Sequence, residues 1–285
     1  MKSAAETVTQ EESQDYITLE IWRGQEEGYY ETYSVPAQDS QTILDAVTYV
    51  QRRIDPTLTY RFSCRIGMCG SCAMMVNGAP RWTCRTHASK VLKDGKIRLQ
   101  PLRNLPVIKD LATDMTEFFE KWQTAKGRFV PSGDSGSAET SGDSGSAETS
   151  GDSGSAETKG KARDGVGAKA MAFANVEPTS KARKEADAGI ECLGCGVCYS
   201  ACDVVAWNKD YLGPAALNRA WTLVNDVRDG DKMGHLAAVA VDAGCHACHS
   251  HQQCTTYCPN NLNPTRAIAG LKRMSVAAAL KGELK

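Results

Sequence analysis

Eleven of the chain's 12 cysteines fall into three runs with the spacing of iron–sulfur ligands. The first run is Cys64-x4-Cys69-x2-Cys72, with Cys84 twelve positions further on. That is the plant-type [2Fe–2S] spacing. Two sulfide-bridged irons need four thiolates converging on one small volume. A tight loop supplies three, and a strand crossing the sheet returns the fourth. Gly67, Gly70 and Ser71 suit such a loop, because backbone N–H groups must reach the sulfurs past no bulky side chain. The competing reading is a four-cysteine zinc site, but zinc sites usually pair two short Cys-x2–4-Cys knuckles and only one knuckle is present.

The second run, Cys192-x2-Cys195-x2-Cys198-x3-Cys202, has the bacterial ferredoxin spacing for [4Fe–4S], with Asp203 where a proline usually follows. The third, Cys248-x2-His251-x2-Cys254-x3-Cys258-Pro259, repeats the pattern with His251 at its second position. In two-cluster proteins the fourth cysteine of each run ligates the other cluster. By that rule Cys192, Cys195, Cys198 and Cys258 hold a [4Fe–4S] cluster, and Cys202, Cys248 and Cys254 hold the other. Three thiolates make [3Fe–4S] the simplest expectation there, with no ligand at the His251 corner. Two readings compete with it. His251 could ligate a fourth iron through a ring nitrogen, as histidines do at Rieske irons. Cys245, three residues before Cys248, could reach in instead. A pair of zinc knuckles is set against seven thiolates in two phased runs. Three clusters on one chain make a short electron wire. The sequence offers no Gly-rich nucleotide loop and no obvious acid–base pair, so organic oxidation is expected on a partner.

The elements around these runs divide into two kinds. Ile17, Leu19 and Ile21 alternate with Thr18, Glu20 and Trp22, which predicts a half-buried strand. Further strands are expected at 29–35, 59–62 and 97–100, and a hairpin over 73–82 turning at Asn77-Gly78. A helix capped by Asp39 or Ser40 is expected through Ile54, where Pro56 stops it. A second helix is expected over 110–125. After Ala170 the stretches 181–188, 214–227, 232–243 and 264–281 read as helices, with Asn263-Pro264 opening the last. His87 and His235 read as ordinary surface or capping histidines.

Between the two kinds, the nine-residue unit SGDSGSAET occurs three times from Ser132 to Thr158. Gly, Ser and acid with almost no apolar content predict a flexible insertion, taken as 131–165. The chain carries 33 Lys and Arg against 34 Asp and Glu; without the repeats there are 28 acids, so the rest is mildly basic. Neither balance suits a strongly basic nucleic-acid binder. No apolar stretch is long enough for a transmembrane helix, and residues 1–15 read as a polar tail, neither signal nor transit peptide.

The motifs RFSCRIGMCGSC (61–72), WTC (82–84), LQPLRNLPVIKDL (99–111), CLGCGVCYSAC (192–202), GPAAL (213–217) and CPNNLNPTRAI (258–268) resemble those of the iron–sulfur subunit of succinate dehydrogenase and fumarate reductase. The resemblance covers nearly all of 16–126 and 171–285. It implies an α+β chain: a β-grasp, plant-type ferredoxin-like domain (16–109), then an all-helical bacterial-ferredoxin-like domain (110–285). It also implies a flavoprotein partner holding FAD, and a membrane anchor with a quinone site and sometimes haem b. The chain would then be peripheral on the cytoplasmic face of a bacterial inner membrane. By the same resemblance Trp207, five residues past Cys202, borders the quinone, and His249, directly after Cys248, lies near the [3Fe–4S] cluster; both are candidate quinone contacts. Trp207 is also apolar enough to be core, and His249 could serve only as a donor to cluster sulfide. Asp203 and His251 depart from the family pattern and leave open the second cluster's identity and the acceptor.

Overall fold

The computed structural model describes residues 15–132 and 175–284. The expected tail (1–15) and the insertion (131–165) lie almost wholly outside the described residues.

Strands β1 (Tyr16–Gly24) and β2 (Gly28–Pro36) pair antiparallel, Tyr16 opposite Pro36. Ile17, Leu19 and Ile21 are buried in β1 while their neighbours stay half-buried, the period-2 pattern of a strand with one packed face. Helix α1 (Ile43–Tyr49) runs on as a π-helical turn to Ile54. Its cap is Thr42 rather than Asp39 or Ser40: the Thr42 hydroxyl accepts from the Asp45 amide, and the Asp45 carboxylate accepts from the Thr42 amide. β3 (Ala73–Val76) and β4 (Ala79–Trp82) form the expected hairpin, with Asn77 at φ 50° and Gly78 at φ 78°. Cys84 follows on a 3-10 turn, then α2 (Ala88–Val91) and β5 (Lys96–Gln100). The sheet order is β2-β1-β5-β3-β4, with β1 and β5 parallel and α1 packed against its core face.

Two expected elements are corrected. Residues 59–62 form no strand, because the Thr59 backbone bonds the 110–111 loop: its N–H donates to Asp110 Oδ2 at 2.9 Å and its carbonyl accepts from Leu111. The helix expected from Asp110 starts six residues later. A short ribbon, β6 (Val107–Lys109) and β7 (Ala112–Thr113), precedes it. Asp110 sits at its bend with φ 50° and accepts from Arg23 Nε and the Gly24 amide. Asp114 then takes the Thr116 amide, and α3 (Thr116–Thr124) begins.

The helical half comprises α4 (Lys181–Ile190), α5 (Val197–Ser200), α6 (Asp203–Trp207), α7 (Pro214–Asn225), α8 (Lys232–Val239), α9 (Gln253–Thr256) and α10 (Pro264–Leu280). Asn263 caps α10 as expected, its Oδ1 accepting from the Arg266 amide at 2.9 Å. α7 packs against α4, α8 and α10, and the short α5, α6 and α9 carry or border cysteines. His235 is no surface histidine. It is fully buried on the packed face of α8, with Nε2 3.0 Å from Asp229 Oδ1.

β3 joins the halves. Met74 and Val76 belong to the sheet–α1 core, while Ala73 and Met75, on the opposite face, belong to the helical core with Cys72, Trp82 and Cys84. Phe118 of α3 packs edge-on against Tyr199, ring centroids 5.4 Å apart. No helix among the described residues is long and apolar enough to cross a membrane.

Candidate metal centres

The first-run loop turns through three left-handed residues, Arg65, Gly67 and Gly70, and this bend brings its amides onto its sulfurs. The Met68 amide donates to Cys64 Sγ at 3.2 Å and the Cys64 amide to Cys69 Sγ at 3.5 Å. Burial acts to raise the Cys69 thiol, but hydrogen bonds from Ser71 and Cys64 outweigh it and hold the thiol down to about 6. Cys84 is returned to the loop by Thr83, whose hydroxyl donates to the Cys72 carbonyl at 2.8 Å. Burial and the adjacent Cys72 push the Cys84 thiol up to about 12. All four first-run cysteines thus lie together.

Cys192, Cys195, Cys198 and Cys258 line one pocket, so the third run's last cysteine joins the first three of the second. Each keeps some accessible surface. Leu193, Ala215, Leu262 and Pro264 make the rest of the wall largely apolar. Burial raises the three second-run thiols of this pocket, Cys192, Cys195 (to about 11) and Cys198, and for Cys198 the neighbouring thiols add to it.

Cys202, Cys248 and Cys254 form the third group. Burial raises Cys202 to about 11, and the charges of Cys254 and Cys248 act on it in the same sense. Tyr211 was not foreseen from sequence. It is buried beside all three sulfurs, with its hydroxyl bonded to Cys248, and burial followed by these charges raises its phenol. A tyrosine in a loop carries no spacing signal.

Both competing fourth ligands have partners of their own. Cys245 is fully buried against α10, hydrogen-bonded to Ser275. His251 is exposed, its Nδ1 3.5 Å from Asp203 Oδ2, so the two departures from the ferredoxin pattern face each other. Trp207 is 60% exposed and is not core. Its ring meets His249 and His251 edge-on at 5.9 and 5.7 Å.

Among the described residues no three His, Cys, Asp or Glu side chains close around a point that one metal ion would occupy, as a tetrahedral zinc site requires. Sulfide-bearing clusters suit the residues better. Amides point at Cys64, Cys69, Cys192, Cys195 and Cys202, and the buried donors Trp82 Nε1 and Asn218 Nδ2, otherwise without partners, border the four-thiol pocket.

Fold and site define a protein of two ferredoxin-like halves with three groups of cysteines. Residues 18–120 match the 2Fe-2S iron–sulfur cluster binding domain, and residues 191–263 the 4Fe-4S dicluster domain. Over 274 residues the chain is 31% identical to the fumarate reductase iron–sulfur subunit of Mycobacterium tuberculosis, covering 94% of this chain and 96% of that one. It is 32% identical over 235 residues to the succinate dehydrogenase iron–sulfur subunit of Paracoccus denitrificans, covering 82% and 76%. Its fold is that of a chain in the Mycobacterium smegmatis Sdh1 complex in the apo form, with a TM-score of 0.71 at 23% identity, covering 93% and 97%. The chain belongs to the family of succinate dehydrogenase and fumarate reductase iron–sulfur subunits, an oxidoreductase family.

Proposed function

We propose that the chain is the electron-transfer subunit of a succinate:quinone oxidoreductase. Cys64, Cys69, Cys72 and Cys84 hold [2Fe–2S]; Cys192, Cys195, Cys198 and Cys258 hold [4Fe–4S]; Cys202, Cys248 and Cys254 hold [3Fe–4S]. The clusters supply one-electron carriage between the FAD of a flavoprotein partner and a quinone at a membrane anchor, which carries haem b in some relatives. The domains are 16–109 and 110–285, the second interrupted at 131–165, with the whole peripheral on the cytoplasmic face of the membrane.

The observation that supports this reading most is the unbroken succession of thiol groups. Gly70 of the first loop lies so close to the second run that a Cβ there would sit 2.4 Å from Cys195 Cβ. Cys198 in turn feels the charge of Cys254 in the third group. The succession has two open ends. At one, Ile66 and Met68, both 64% exposed, flank the first loop and suit docking of the flavoprotein. At the other, Trp207 and His249 present a stacking face and a ring nitrogen to a quinone.

A second reading, the same wire in a fumarate reductase or related complex with a non-quinone donor or acceptor, draws on the Asp203–His251 pair, which makes that end unusually polar. Purification of the intact complex decides between them. The first reading expects a co-purifying flavin subunit and succinate-dependent reduction of a short-chain quinone. Succinate oxidation that reduces thiol or low-potential acceptors but no quinone would overturn it in favour of the second.

A further inference from the structure

Among the described residues four buried side-chain nitrogens lack a hydrogen-bond partner: Trp22 Nε1, Trp82 Nε1, Asn218 Nδ2 and His235 Nδ1. Two of the four, Trp82 and Asn218, line the pocket walled by Cys192, Cys195, Cys198 and Cys258. Desolvating an N–H without a partner is costly, so native proteins rarely do it without a buried water, ion or ligand to accept. Two such donors on one small wall call for an acceptor inside the pocket.

Neither nitrogen has a hydrogen-bond partner among the protein's groups. Asn218 lies one turn beyond Ala215 on the same face of α7, and both border the pocket. Thr222 Oγ1 donates to the Asn218 carbonyl at 3.0 Å and makes no hydrogen bond with Nδ2. Gly189 of α4 leaves the Asn218 amide room, since a Cβ there would lie 3.1 Å from Nδ2 and 2.1 Å from Thr222 Oγ1. The pocket's other amide side chain, Asn260, is engaged with the Glu191 carbonyl at 2.7 Å. Trp82 closes β4 two residues before Cys84, and its indole N–H lies against the Cys195 sulfur. Trp82 thus stands where the first and second thiol groups meet.

We propose that the Asn218 amide and the Trp82 indole donate hydrogen bonds to sulfurs of the [4Fe–4S] cluster and thereby raise its reduction potential. The proposal rests on reading the four pocket cysteines as the ligands of that cluster. Reduction adds one negative charge to a group already surrounded by thiolates and apolar wall. Burial therefore opposes electron uptake, and donors to sulfur favour it. No bond to either side chain forms or breaks as the electron arrives or leaves. The two donors are positioning residues that keep the middle site of the wire within reach of its neighbours in energy.

The test is an EPR-monitored redox titration of the intact complex, comparing wild type with Asn218→Leu and Trp82→Phe. Each substitution removes a donor and keeps apolar bulk. The one-electron equilibrium constant for reducing the [4Fe–4S] cluster should fall severalfold in each variant, a tenfold fall corresponding to about 59 mV. The [2Fe–2S] potential should move less. A second readout compares wild type with the variants: pulsed EPR should show exchangeable protons at the [4Fe–4S] cluster, beyond those of the backbone amides, that disappear in each variant. A variant that keeps its [4Fe–4S] signal with an unmoved potential, or a wild-type cluster without such protons, would overturn the proposal while leaving the ligand assignment standing. Absence of any [4Fe–4S] signal in the wild type would overturn the ligand assignment and the proposal with it.

Discussion

The molecule has two hydrophobic cores, and only one is built around thiols. The core under α1 joins Ile17, Leu19, Ile21, Ile43, Val47, Ile97 and Leu99 and includes no cysteine. The core of the helical half takes in Cys72, Cys84, Cys245 and Cys254, with Cys195, Cys198, Cys202 and Cys248 packed against it. Their ligands are hosted differently as well. In the first group donors hold Cys69 low while burial raises Cys84, whereas in the helical pocket burial raises Cys192, Cys195 and Cys198. The sheet core can close without metal. The helical core surrounds thiols whose ionisation burial disfavours, so folding and cluster binding should be coupled there.

That contrast breaks first if the crossed ligation is wrong. Cys258→Ser should abolish the [4Fe–4S] EPR signal and loosen the helical half, seen as faster amide exchange in α7 and α10, while the [2Fe–2S] signal persists. Cys202→Ser should spare the [4Fe–4S] signal and remove that of [3Fe–4S]. The reverse pattern would mean that each run serves its own cluster.

The opposite half is broken by Arg23. Its buried guanidinium bonds Asp110, Asp55 and Glu31, and Asp110 is itself 1% exposed. Arg23→Ala leaves a buried carboxylate uncompensated and should cost about 3–5 kcal/mol, read as earlier thermal loss of the [2Fe–2S] absorbance. A smaller effect sharpens the loop's side of the contrast. Ser71→Ala removes a donor to Cys69, so the [2Fe–2S] potential should fall by up to about 60 mV, with the [4Fe–4S] potential unmoved. The smallest effect is on acid stability. Thr57 and Arg23 hold the Asp55 carboxyl well below the usual range against a weaker opposing effect of burial. Its contribution is therefore complete above about pH 4, the unfolded value, and is lost as pH falls toward the folded one. Asp55→Asn should lower stability at pH 7 and flatten the stability–pH curve below about pH 4 in denaturation experiments.

What could be read from sequence follows the same division. Strict alternation and Asn77-Gly78 made β1 and the hairpin legible, and ligand spacing grouped the cysteines. Local signals that tertiary contacts override were not legible. Thr42 outcompetes two better-placed caps because Asp45 answers it. Asp110 looks like a helix start but is spent on Arg23, Gly24 and Thr59. The core reading that competed for Trp207 fails, since it is exposed, and His235, read as a surface or capped histidine, is fully buried. Tyr211 and Asn218 sit at the thiols through the path of the chain, which no motif encodes.

The most direct test of the wire is EPR of the purified complex, oxidised and then reduced stepwise, with iron and acid-labile sulfide counted. The account expects a nearly isotropic signal in the oxidised state that vanishes on mild reduction, then the [2Fe–2S] and [4Fe–4S] signals, with iron equal to one cluster of each kind. No oxidised-state signal and one iron more would contradict it, placing a second [4Fe–4S] cluster at Cys202, Cys248 and Cys254.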